Sequence, residues 1–224
     1  MARHISIPMR ATIVLRGLRL LPYRVSLRPA KSLLWLWLSR DMRYSKGKST
    51  GIDAGCGPMG NRPLFRSDHY VGIDTDAASL QAGHTRHPEA TTVLSAIEDA
   101  THIHGDFVVC VQVIRINREF DVANDRLAIR ALVGMCNLGG CLIVNLGSLG
   151  SSLKELESFV DGIVYKQFMQ VEKRRYGAFS TKMPKMASLL LAYLMLVVPP
   201  LRTGFGQKHR NTYYLCRNKT GGVE

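Results

Sequence analysis

Between residues 49 and 146 the chain alternates short apolar stretches with longer segments of helical pattern, and that alternation limits the folds open to it. Strand-like stretches fall at about 49–54, 70–74, 91–95, 106–113 and 140–146, each bounded by Gly, Asp or Asn. Helical stretches fit between them, notably 76–86, with Asp76 as its N-cap, and 121–137, which stops at Gly139-Gly140. Repeated strand-helix units predict a parallel sheet covered by helices on both faces, the α/β class. In the last third, a helix over 151–163 precedes "YKQFMQVEKRRYG" (Tyr165 to Gly177) and then "NTYYLCRN" (Asn211 to Asn218). These two read as strands able to pair as an antiparallel edge, with the residues between them projecting from one end.

The first strand runs into "GIDAGCGPMG", which sets a G-x-G-x-x-G from Gly55 to Gly60 with Asp53 two residues ahead of it. In a dinucleotide fold such a turn brings backbone N–H groups onto a pyrophosphate, an anion that a carboxylate at Asp53 would repel. Asp53 therefore argues for a ligand with an ammonium group, approached closely by the glycine backbone. S-adenosylmethionine carries that ammonium and a sulfonium. Pro58 suits the first turn of a helix after the loop. Nineteen residues after Gly55, "VGIDTD" ends the next strand in Asp74, where a carboxylate can accept hydrogen bonds from two ribose hydroxyls. The glycine turn and the acid are more specific together than either alone.

These segments resemble the class I S-adenosylmethionine-dependent methyltransferases, over about Ser49 to Leu146. "IDAGCGPMG" looks like the family's first motif, "VGIDTD" its second, "VLSAIEDA" its third and "GDFVVCVQVI" its fourth, while "LGGCLIVNL" resembles the strand-opening Gly-Gly segment that follows. The resemblance implies a Rossmann-like three-layer sandwich with a mostly parallel seven-stranded sheet and an antiparallel C-terminal edge hairpin. It also implies S-adenosylmethionine as cofactor. Carried onto this chain, it places Asp53, Gly55, Cys56 and Gly57 around the methionine end and Asp74 with Thr75 at the ribose. Ala96 stands where the family often has an adenine-contacting Asp, so the Ile97 backbone and Glu98 are expected at the adenine. Gln112 is expected to face cofactor and acceptor; a strand-end amide bonded to backbone is the alternative.

Charge is unevenly placed in this chain of 224 residues with a formal net charge of +13. Residues 1–50 hold 11 Lys/Arg against one acid, residues 51–150 hold 7 against 11, and residues 151–224 hold 12 against 5. Two basic flanks around a mildly acidic centre would attract nucleic acid or anionic lipid; solubility alone is the plainer explanation. The five cysteines form no C-x-x-C pair and read as free thiols in a reducing, cytoplasmic compartment. The acid-free first 40 residues overlap in composition with a mitochondrial transit peptide, whereas "ATIVL" is too short for a secretory h-region. Residues 1–48 are expected to form a basic, apolar helical extension, with "SLLWLWLSR" (Ser32 to Arg40) helical after Pro29. Residues 49–224 would be the cofactor-binding domain, with a hydrophobic and basic insertion at about 178–210.

Within that insertion "MASLLLAYLMLVV" (Met186 to Val198) spans 13 residues, about 20 Å as a helix, too short for a bilayer core of roughly 30 Å. Lys182, Lys185, Arg202, Lys208 and Arg210 flank it. The segment fits a helix lying at a membrane interface, or a buried helix or lid over an apolar pocket. The function expected is methyl transfer to a small or lipophilic acceptor, lipid-linked anionic molecules among them, on oxygen or nitrogen, with peripheral contact at an anionic membrane. RNA methylation is the alternative, using Tyr176, Tyr213 and Tyr214 with Lys173, Arg174, Arg175 and Arg210 as stacking and phosphate contacts; a non-catalytic scaffold is a third. No catalytic base is assigned. His102 and His104 fit an exposed loop, and an H-x-H pair without a third ligand is weak evidence for metal, so no metal is expected.

Overall fold

Strand β1 (Thr50–Ala54) forms where β-branched and small residues meet a glycine turn, and it pairs in parallel with both β2 (His69–Asp74) and β4 (Gly105–Cys110). The computed structural model describes residues 24–116, 122–148, 153–177, 179, 181–203 and 211–221. The expectations for residues 1–23, and for Lys208 and Arg210, lie outside the described residues. Ahead of β1 come helix α1 (Pro29–Asp41), with Pro29 in its first turn, and a 3-10 turn, Met42–Ser45. After β2, Asp76 caps α2 (Ala77–Arg86) by accepting from the Ala78 and Ser79 N–H groups, as the sequence predicts. Then follow β3 (Thr91–Leu94), β4, a two-residue β5 (Arg115–Ile116), α3 (Val122–Met135), β6 (Cys136–Ser148), α4 (Leu153–Gln167), β7 (Phe168–Tyr176), α5 (Lys185–Val197), the short α6 (Pro200–Thr203) and β8 (Asn211–Lys219).

Along the sheet the order is β3-β2-β1-β4-β6-β8-β7, with β5 added beside β6. The first five of these are parallel, and β8 runs antiparallel between β6 and β7. The expected mixed sheet of seven principal strands with an antiparallel C-terminal hairpin is thus present. Alternate strand residues bury opposite ways. Ile52, Val108, Leu142 and Tyr214 face α3 and α4, while Phe107, Val109, Ile143 and Leu215 face α1 and α5. These are the three layers.

Helix α1 is apolar all round because it is buried all round: Leu33, Leu34, Trp37 and Leu38 are at most 1% exposed. It packs along α5, and the Ser32 and Ser188 hydroxyls share a hydrogen bond of 3.0 Å between the two helices. Its far end is tied to β7 by the Asp41–Arg174 ion pair. A boundary at residue 48 therefore does not separate an extension from the domain: from residue 29 the chain is part of one sheet face.

Three local expectations change. No α-helix follows Pro58; residues 57–65 are turns and a 3-10 helix, Arg62–Leu64. Only 14 residues separate β1 from β2, and Pro58, Gly60 and Pro63 break them, so α1 and α5 cover that sheet face instead. Strand β4 stops at Cys110, not at 113, because Gln112 takes a left-handed φ of 65°. The helix expected to reach 137 ends at Met135 and passes straight into β6, whose register on β4 jumps from Cys136 to Cys141 around Gly139 (φ 70°).

Candidate functional site

The strand order changes direction between β1 and β4, and the crevice outside their carboxyl ends is where an open α/β sheet binds ligands. A cavity of about 590 Å³ lies there, within the range of small-molecule sites. Its wall carries Gly55, Cys56 and Gly57 after β1, Asp74 and Thr75 after β2, Ile97 and Glu98 after β3, and Gln112 after β4. Eight of the nine residues singled out in the sequence thus meet on one cavity.

Asp53 is the ninth and does not line it. Its side chain, 1% exposed, lies beneath the glycine loop, where Tyr70 Oη donates to Oδ2 at 2.9 Å and Asn61 Nδ2 to Oδ1 at 3.3 Å. Burial pushes its carboxyl up to about 6, against the opposing pull of these two donors and of Arg24. The expectation of direct or water-mediated contact with a ligand ammonium is corrected accordingly: strand alternation turns Asp53 onto the α1 face, and its oxygens are engaged in the protein. The glycine turn itself opens no α-helix, so it lacks the helix N-terminus that a dinucleotide fold sets against a pyrophosphate.

Gly55 is required twice over. Its φ is +71°, and a Cβ there would stand 2.2 Å from Val113 Cγ2. The loop is held to the neighbouring strand end by Asp74, whose Oδ2 accepts the Gly57 N–H at 2.6 Å while Oδ1 accepts the Asp76 N–H at 2.9 Å. Cys56 is buried, its thiol pushed up to about 12 by burial and by Asp53 and Asp74, so it stays protonated and is no nucleophile. All five cysteines are buried and free.

Gln112 is bonded to the Asn145 side chain. Its N–H and its Nε2 both donate to Asn145 Oδ1, at 3.3 and 3.2 Å, and Asn145 Nδ2 in turn donates to Tyr176 Oη at 2.9 Å. A non-glycine residue in the left-handed region at a cavity wall is strain held by its surroundings.

Several lining residues were missed: Arg24, Lys31 and Trp35 from the N-terminal segment, Asn61 from the loop, and Asn124 and Asp125 from the first turn of α3. Arg24 lies 5.3 Å and Lys31 5.9 Å from the Trp35 ring centroid. Gly60 leaves room for Arg24, because a Cβ there would sit 1.7 Å from its Nη2. The one available signal was the cluster of Arg, Lys and Trp just ahead of the domain. His102 and His104 are exposed and off the cavity, as expected of a loop pair.

No protein-family model matches the chain, and comparison with curated proteins finds no match. Solved structures do match. An rRNA methylase from Streptococcus thermophilus superposes with a TM-score of 0.52 at 11% identity, over 82% of this chain and 95% of that one. The fold is that of the class I methyltransferases. The magnesium protoporphyrin IX methyltransferase of Synechocystis PCC 6803, solved with S-adenosylmethionine, gives 0.53 at 13% identity, over 95% and 85%. The N-methyltransferase NodS of Bradyrhizobium japonicum WM9, solved with S-adenosylhomocysteine, gives 0.53 at 15%, over 81% and 84%. The methyltransferase fold is thus shared with proteins whose acceptors differ widely.

Proposed function

We propose that this chain is an S-adenosylmethionine-dependent methyltransferase acting on a lipophilic, anionic acceptor at oxygen or nitrogen. The observation that carries the reading is the convergence of the glycine loop, Asp74, Ile97, Glu98 and Gln112 on one cavity at the point where strand order reverses. The cavity suits the cofactor chemically. Each Asp74 oxygen accepts one backbone N–H, leaving lone pairs for two ribose hydroxyls. Ala96 and Ile97 offer apolar surface to a base, and Glu98 an acceptor for its amino group.

When bound, S-adenosylmethionine supplies a sulfonium-activated methyl group, so the protein's task is largely alignment. Gly55 and Gly57 bring backbone close to the amino-acid end. Asp53 acts on an ammonium there as a fixed charge under the loop, not as a hydrogen-bond partner. Gln112, locked by Asn145, holds its place between cofactor and acceptor. Asp125 is the lining carboxylate left over once Asp74 and Glu98 are assigned, and it takes the proton from an acceptor hydroxyl. Arg24 and Lys31 are the cations of a wall that also carries Asp74, Glu98 and Asp125, and they are the groups that would meet a negative charge on the acceptor.

The aromatic contacts of the RNA reading are lost, since Tyr176, Tyr213 and Tyr214 are at most 2% exposed and Lys173 and Arg174 pair with acids. None of the described residues of the 178–210 insertion lines the cavity. No described helix is long and apolar enough to cross a membrane; peripheral contact belongs to the proposal. Calorimetry tests the cofactor: the wild type should bind S-adenosylmethionine, and Asp74→Ala should weaken it by at least about 1 kcal/mol. Transfer of a tritiated methyl group into a fractionated cell extract should label the lipid-extractable fraction; label confined to RNA, or none, overturns the acceptor assignment.

A further inference from the structure

Helix α5 is apolar on two sides. Ser188, Leu189, Ala192 and Met195 are buried against α1, while Met186, Leu190, Leu194 and Val197 stay open, Leu190 at 65% and Val197 at 73% exposure. At 100° per residue the four open positions fall within an arc of about 80°, opposite the buried ones. Exposed leucines scattered singly would need no explanation; a continuous stripe does.

The exposed charges described at the amino-terminal end of the stripe are basic. Arg28, Lys182 and Lys185 are exposed, and the Met183 N–H donates to the Leu27 carbonyl at 2.8 Å, which joins the segment before α1 to the segment before α5. Leu27, itself 43% exposed, extends the apolar surface across that junction. Among the described residues, neither 24–40 nor 173–203 holds an Asp or Glu, so the segments before α1 and α5 bring cations and no acid to this junction. An apolar stripe with cations at one end matches the surface of an anionic bilayer, in which a helix of this length lies flat.

We propose that the open face of α5, with Leu27, Arg28, Lys182 and Lys185 at its amino-terminal end, docks on an anionic lipid surface. Docking there also places the cavity near the bilayer: Arg24, which lines the cavity, is three residues from Leu27, a span of at most about 11 Å. Lys31 and Trp35 line the cavity from the same α1 whose Ser32 bonds α5. The inference deepens the acceptor reading above by naming the surface that presents it, but the docking has a test of its own.

That test is flotation of the full chain with vesicles of phosphatidylcholine and phosphatidylglycerol, against vesicles of phosphatidylcholine alone. The wild type should float with the anionic vesicles. Leu190→Asp with Leu194→Asp should cut partitioning at least about tenfold, as should Lys182→Glu with Lys185→Glu, the latter loss shrinking at high salt. All four positions are exposed, so thermal midpoint and affinity for S-adenosylhomocysteine should stay as in the wild type. No flotation of the wild type, or undiminished flotation of the leucine pair, overturns the docking. So does a wild-type dimer that the leucine pair dissociates without any flotation, which would assign the face to a second copy. Binding of an RNA oligonucleotide in place of vesicles, abolished by the lysine reversals, overturns it as well. Flotation without binding of S-adenosylhomocysteine would sink the proposed activity and leave the docking standing.

Discussion

The Tyr70 hydroxyl donates to the Asp53 carboxylate at 2.9 Å, across the pair of strands beneath the glycine loop. This relationship makes Asp53 a buried acid whose carboxyl is pushed up to about 6, against about 3.9 in an unfolded chain. Between those values the native state binds more protons than the unfolded one, so this group's contribution to stability is present below about pH 4 and is lost as pH rises to about 6. The loss amounts to about 3 kcal/mol for a shift of roughly two units. Urea unfolding followed against pH should show this fall in the wild type and not in Asp53→Asn. Tyr70→Phe, which removes a donor that lowers the pKa, should move the upper end of the window higher.

Gly55 and Val113 form a second testable pair. Gly55→Ala places a Cβ 2.2 Å from Val113 Cγ2 at a φ of +71°, and should destabilise by at least about 2 kcal/mol through overpacking and left-handed strain. Adding Val113→Ala removes both Cγ atoms and most of the clash, leaving a close Cβ contact of 3.1 Å and the backbone strain. Thermal melts of the two single variants and the double should therefore be non-additive, with the double recovering part of the loss. Additive losses would show that the side chains do not meet.

Asp125 provides a catalytic prediction within the proposed activity. If the acceptor is a hydroxyl, Asp125→Asn should lower the rate of methyl transfer by about a hundredfold or more while calorimetry finds affinity for S-adenosylhomocysteine unchanged. An unchanged rate would remove it from the chemistry.

Asp41 joins the end of α1 to the sheet. It is 1% exposed and accepts from Arg174, from Tyr213 at 3.2 Å and from Arg40 at 3.1 Å. Asp41→Ala leaves the Arg174 guanidinium, only 10% exposed, with Glu172 as its remaining acid, and should cost about 3 kcal/mol. Guanidinium chloride titration would show it as a lower midpoint with an unchanged slope.

The parts of the fold that were legible in the sequence are those set by local chemistry. Asp76 caps α2 because a short carboxylate one residue ahead of a helix finds its N–H groups, and β1, β2 and β3 begin and end near Gly, Asp and Ser for equally local reasons. Asp74 was found by its spacing from Gly55, which a strand-turn-strand unit imposes. Asp53 was misplaced because its neighbour Tyr70 is seventeen residues away and meets it only through the pairing of β1 with β2. Tyr213 and Tyr214 looked like contacts for bases because a strand at the end of a chain reads as an edge; insertion between β6 and β7 buries both faces of it. Arg24, Lys31 and Trp35 escaped notice because nothing local says that α1 folds back over the glycine loop.

The placement of β8 also governs the order in which the protein is able to fold. Among the described strands β7 pairs with β8 alone, and β8 fills the gap beside β6, so in a growing chain the outer side of β6 stays open and β7 stays unpaired until residue 219 has left the ribosome. Over that interval Tyr213 and Leu215 are not yet available to shield Trp37 and Ile143, and the exposed apolar surface and strand edge are open to pairing with neighbouring chains.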